Sequence, residues 1–101
     1  MIGRLWHGTC APADAGAYEE HLRRVTLPAL REIPGYEGGY VLRRGTGGGV
    51  DFLVLTLWVS LEAVRAVAGE DYELAVVPPE AARLLARFDE RAVHYDVALV
   101  S

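Results

Sequence analysis

The stretch from Val50 to Val59 is apolar on both of the faces that a strand would present, broken only by Asp51 and Thr56. Phe52, Val54 and Trp58 fall on one side of the alternation; Leu53, Leu55, Leu57 and Val59 fall on the other. Its β-branched and aromatic residues favour a strand. A strand apolar on both sides is one that is buried on both sides. What covers those two faces decides the fold. Immediately downstream, Ser60 fits a helix N-cap, Glu62 lies in the first turn near the positive end of the helix dipole, and Gly69 fits the C-terminal stop.

The rest of the chain supplies partners for this strand. Ile2 to Thr9 reads as a first strand with Trp6 and His7 on opposite faces. After Ala11 to Ala13 and a capping Asp14, the residues Tyr18, Leu22, Val25, Ala29 and Ile33 recur at helical spacing. Pro28 inside that pattern predicts a kink or a tightened last turn, and Pro34-Gly35 ends the helix. Tyr36 to Arg44 forms a second strand, with Tyr36, Tyr40 and Leu42 on one face and Val41 and Arg43 on the other. Gly38-Gly39 within it predicts a bulge. The loop Gly45-Thr46-Gly47-Gly48-Gly49 leads into a strand, not a helix, and reads as a hairpin turn and not a phosphate cradle. Glu70 to Val77 is expected to be a short helix, Pro79 to begin another carrying Leu84, Leu85 and Phe88, and Ala92 to Val100 to be the last strand. In that strand Val93, Tyr95, Val97 and Leu99 share one face, the first three being the better core candidates, and His94, Asp96 and Ala98 share the other.

The order βαββαβ predicts an α+β fold over residues 1–101: a ferredoxin-like sandwich with an antiparallel four-stranded sheet and helices on one face. Helices cover only one side of the sheet, so the second apolar face of Val50 to Val59 predicts a homodimer joined through the sheets.

Composition excludes several functions. A formal net charge of −4 speaks against nucleic-acid or anionic-membrane partners. An RNA-recognition module shares this element order but needs exposed aromatics among basic residues, which the central strand does not offer. The chain has no Lys, so neither Schiff-base chemistry nor a P-loop lysine is available, and its two serines, Ser60 and Ser101, do not suit a serine hydrolase. Cys10 is the only cysteine, and no signal peptide or spanning segment is evident, which makes a cytoplasmic protein the expectation.

Leu57-Trp58-Val59-Ser60-Leu61-Glu62-Ala63, Ala68-Gly69-Glu70-Asp71, Val93-His94-Tyr95-Asp96-Val97 and the corner Ile33-Pro34-Gly35-Tyr36 together resemble the antibiotic biosynthesis monooxygenase superfamily. The resemblance spans nearly the whole chain and implies a dimeric α+β barrel. Characterised members include cofactor-independent oxygenases of aromatic polyketides and heme-degrading enzymes. The heme-degrading branch relies on an Asn, a Trp and a His. The chain has no Asn; the matching first-strand position falls near His7, and the Trp and His positions fall on Val67 and Val77. Heme degradation by that route is therefore disfavoured.

The resemblance implies instead a cofactor-independent monooxygenase of a small aromatic or polyketide-type molecule. Its candidate base is His94 or His7, and its candidate ligand-binding residues are Trp58, Tyr40 and Arg43. Tyr40 and Arg43 lie on opposite strand faces, so at most one lines a given pocket. The competing reading is a non-catalytic homodimer that binds a small hydrophobic ligand or only assembles. His7, His94 and Asp96 form the sole metal-ligand set worth weighing, and their spacing does not make them a site. Protein purified without added ligands is thus expected to carry no flavin, heme or essential metal. An absorption spectrum with elemental analysis tests this; stoichiometric iron, zinc or copper contradicts it.

Overall fold

The doubly apolar stretch becomes strand β3 (Gly49–Trp58), paired antiparallel along its length on both sides in the computed structural model, which describes residues 1–101. On one side lies β1 (Ile2–Cys10), running from Ile2 opposite Trp58 to Cys10 opposite Val50. On the other lies β2 (Tyr36–Thr46), from Tyr36 opposite Trp58 to Thr46 opposite Gly49. The far edge of β1 is shared by β4 (Arg87–Phe88), beside Gly8 and Thr9, and β5 (Val93–Asp96), beside Ile2 to Leu5. The result is the expected antiparallel α+β ferredoxin-like sheet, with its last strand position split in two.

The register shifts between Tyr36 and Gly38, as the paired glycines predict. Gly39 there approaches the partner strand so closely that a Cβ would collide with the Leu55 carbonyl oxygen. The bulge has a further effect: Tyr36 shares a face with Val41 and Arg43, not with Tyr40 and Leu42 as regular alternation predicts.

One face of the sheet is covered by helices: α1 (Ala15–His21), a π-helical turn (Leu22–Thr26), α2 (Leu27–Arg31) and α3 (Leu61–Ala68). The helix at Pro28 is widened, not tightened. Pro28 has no N–H to continue the α ladder, and just before it the Leu27 N–H reaches back five residues to the Leu22 carbonyl. Ser60 caps α3 through its Oγ, 3.3 Å from the Ala63 N–H, as expected. Beneath these helices Phe52, Trp58, Val64, Cys10 and Tyr18 are buried.

The C-terminal part departs from expectation. Residues 69–78 are a loop, because Leu74 bridges Arg91, the Ala75 N–H bonds Glu90 and the Ala92 N–H bonds Glu73. These extended pairings outcompete a helix too short to be stable alone. The helix begun by Pro79 is only α4 (Pro79–Ala82); Leu84 and Leu85 follow in tight turns and Phe88 belongs to β4. Regular pairing of the last strand ends at Asp96.

The expected faces of that strand are inverted. His94 pairs with Arg4 and Asp96 with Ile2, on the helix side, whereas Val93 and Tyr95 lie on the open face. That face also carries Leu5, His7, Tyr40, Leu42, Leu53, Leu55 and Leu57. Tyr40 is 66% exposed and Tyr95 55%. Only 15 of the 101 residues are buried, so a substantial part of the apolar surface remains uncovered in a single chain.

The corner before β2 depends on one glycine. Gly35 adopts φ +92°, and a Cβ there would meet the Ala63 Cβ at 2.6 Å and the Val59 side chain at 2.9 Å. Gly35→Ala is expected to destabilise the fold by about 2 kcal/mol through backbone strain and displacement of α3. Denaturant unfolding measures this; an unchanged midpoint contradicts the account.

Candidate functional site

A cavity of about 140 Å³ lies between the helices and the sheet. Its floor is Trp6 and Arg4 of β1 with Val54, Thr56 and Trp58 of β3. Tyr18, Leu22, Thr26 and Leu30 form the roof, Val64, Val67 and Ala68 of α3 one wall, and residues 75–78 of the loop another. The floor follows from the strand register: Ile2 faces Trp58, Arg4 faces Thr56 and Trp6 faces Val54, all on the helix side.

Both tryptophans present ring surface alone. The Trp58 indole N–H donates to Thr56 Oγ1 at 2.9 Å, and its ring meets Tyr36 edge-on at 5.2 Å. The Trp6 N–H donates to the Asp89 carbonyl at 2.7 Å. The Trp6 ring lies across Gly8, where a Cβ would stand 2.8 Å from it. Tyr18 packs edge-on against Phe52 at 5.0 Å, and burial raises its phenol well above the usual range, so it stays neutral and able to donate.

Arg4 brings a cation to this apolar space. Its Nη1 donates to the Tyr72 carbonyl and to His94 Nε2 at 2.9 Å, and its Nη2 donates to the Leu74 carbonyl at 3.3 Å. The side chain thereby ties the loop over residues 69–78 to the sheet. Because guanidinium only donates, His94 Nε2 is the acceptor and the ring proton sits on Nδ1, which is buried without a partner. Tyr72 meets the His94 ring edge-on at 5.0 Å. Burial first, and Arg4 second, hold the His94 pKa below the usual histidine value.

The residues singled out from sequence separate clearly. Trp58 lines the cavity. His94 lies on the cavity side of the sheet but behind Arg4. His7 is on the opposite face, its Nε2 3.8 Å from Asp51 Oδ2, and Asp51 also accepts from Thr9 at 2.9 Å. Strand alternation puts His7 and His94 on different sides, so the His7–His94–Asp96 set does not assemble, and no cluster of three metal-ligating side chains is present. Tyr40 faces outward on the open face. Arg43 is on the helix side but engages Glu19 at 2.7 Å and lies over Phe52 at 5.5 Å, away from the cavity. Cys10 is buried, and its thiol is pushed up by burial and by Asp14, which makes it a poor nucleophile. Sequence reasoning passed over Arg4, and treated Tyr18 only as part of an apolar stripe. Arg4 in a strand, on the face of Trp6, was the signal available.

No protein-family model and no curated protein sequence matches the chain. Solved structures do. A heme-degrader from Mycobacterium tuberculosis, MhuD, with two hemes in its active site, is 22% identical with a TM-score of 0.63, over 100% of this chain and 99% of that one. The chain has the fold of the antibiotic biosynthesis monooxygenases. Among them are SnoaB, a cofactor-independent oxygenase from Streptomyces nogalater (13% identity, TM-score 0.65, covering 98% and 94%) and the monooxygenase of ActVA-Orf6 from Streptomyces coelicolor in complex with nanaomycin D (18%, 0.61, covering 99% and 91%). At these identities the likeness is one of fold. Val67 and Val77 both line the cavity.

The depressed His94 pKa has a testable consequence. A histidine held neutral in the folded state binds its proton more readily when unfolded, so its contribution to stability is complete above the ordinary value of 6.5 and is lost as pH falls below it. Thermal stability is expected to drop on acidification through that range, and less steeply in His94→Gln. Parallel melting curves across pH check this; identical slopes contradict it.

Proposed function

We propose that the cavity binds a small aromatic molecule and that the chain acts on it as a cofactor-independent monooxygenase, working as a homodimer joined through the open sheet faces. The observation that carries this reading is an apolar cavity floored by two indole rings whose N–H groups are already satisfied within the chain. In such a reaction a phenolic ring, as its anion, gives electrons to O₂, which bonds to a ring carbon and takes up a proton to form a ring hydroperoxide. The ring hydroperoxide then collapses to a quinone and water. All the electrons come from the substrate, so no flavin, heme or metal is required. Heme degradation is disfavoured by the lack of Asn and by the apolar side chains at Val67 and Val77.

Within this reading His94 orients Arg4 and is not itself the base, since its accepting nitrogen is engaged by the guanidinium. His7 points away from the cavity. That lack of a free base in the cavity favours the second reading, a dimer that binds an aromatic ligand without turning it over. Two measurements separate them. Incubation with simple phenols under ¹⁸O₂ is expected to give quinone carrying one labelled oxygen, with matching oxygen uptake; binding without uptake selects the binding module. Trp58→Phe is expected to weaken binding about tenfold through loss of stacking area. For the assembly, static light scattering over a dilution series should give a dimer for the native chain and a monomer for Leu55→Asp. A native monomer that stays folded at micromolar concentration contradicts the dimer.

A further inference from the structure

The cavity holds a half-buried cation with no carboxylate within 4.0 Å. Arg23, Arg24, Arg43, Arg65 and Arg91 each lie within 4.0 Å of a carboxylate. Arg31, Arg44, Arg83 and Arg87 do not, but all four are exposed to water, whereas Arg4 is half-buried and its partners are neutral: two backbone carbonyls and the lone pair of His94. An unpaired charge at a half-buried, largely apolar site is costly, and a neutral imidazole supplies no counter-charge. The donor inventory shows what is left over. Arg4 has five N–H groups and three are used, leaving the Nε hydrogen and one Nη2 hydrogen. Those two can act together as a fork for a pair of acceptor oxygens or grip a single anionic one.

On the floor Arg4 stands between Trp6 along its own strand face and Trp58, diagonal to it across the β1–β3 pair. An anionic group on the guanidinium therefore places its attached ring against indole surface. The space of about 140 Å³ compares with a cavity of about 150 Å³ that accepts one benzene molecule. Its enclosed part has room for one ring.

We propose that the ligand is a single-ring aromatic anion, its carboxylate or phenolate oxygen bound by Arg4 and its ring stacked within the two tryptophans. This rests on the reading of the cavity as the ligand site, and it names the class of molecule that the site selects.

Paired probes test it by calorimetry: benzoate against benzamide, and 4-nitrophenolate against nitrobenzene. The native protein is expected to bind at least one anion about tenfold to a hundredfold more tightly than its neutral counterpart, as a charge-assisted contact implies. Which anion is preferred tells carboxylate from phenolate. If 4-nitrophenol is the one bound, its absorption should shift to the phenolate form. In Arg4→Gln the preference should vanish while the neutral probes still bind. Should that variant fail to fold because the 69–78 loop detaches, the comparison of probes on the native protein stands alone. Neutral probes binding as tightly as the anions would overturn the anion site and leave the cavity reading intact. Failure of every ring compound to bind the native protein would overturn both.

Discussion

The unbroken pairing of β1 with β3, from Ile2 opposite Trp58 to Cys10 opposite Val50, fixes what the rest of the molecule can be. With a side-chain period of two, a slip of one residue would turn His7 and Leu5 towards the helices and send Arg4 and Trp6 outward. The register is held because both faces of β3 are apolar yet differ in bulk: Phe52 and Trp58 vanish beneath the helices, while the leucines remain half-covered. Glycines with little room beside them hold the neighbouring strands close. The lining of the cavity depends on this choice of register.

Much of this was legible in the sequence for a plain reason. The double-sided strand, the Ser60 cap, the bulge at the paired glycines and the Pro34-Gly35 corner are local signals, and local interactions suffice to form them. The faces of β5 were not legible, because Val93 and Tyr95 look like core residues whether they are covered by helices or left for the open face. The loop over residues 69–78 was hidden for a different reason. Its pairing with residues 90–92 and its tether to Arg4 are long-range contacts that leave no periodic trace. Of the site itself, Trp58 was legible from its place at the strand end, whereas Arg4 has meaning only once β5 and the loop are laid beside it.

The chemistry of the cavity is set by what its polar groups have already committed. Two indole N–H groups are bound within the chain, one imidazole nitrogen is occupied by a guanidinium, and one phenol is held neutral by burial. Such a site contributes shape, stacking surface and one fixed positive charge, and leaves ionisation to the guest. If the cavity takes an aromatic acid, binding would follow the guest's own acidity more than any side chain's titration.

Gly8 gives the cavity its depth. The Trp6 ring rests where a β-carbon would otherwise be, so an alanine at this position would lift the indole into the space above it. The depth of the floor is thus set in part by a missing methyl beneath the Trp6 ring. The cavity can be made shallower by one substitution at a position that does not line it, with the charge at Arg4 left in place.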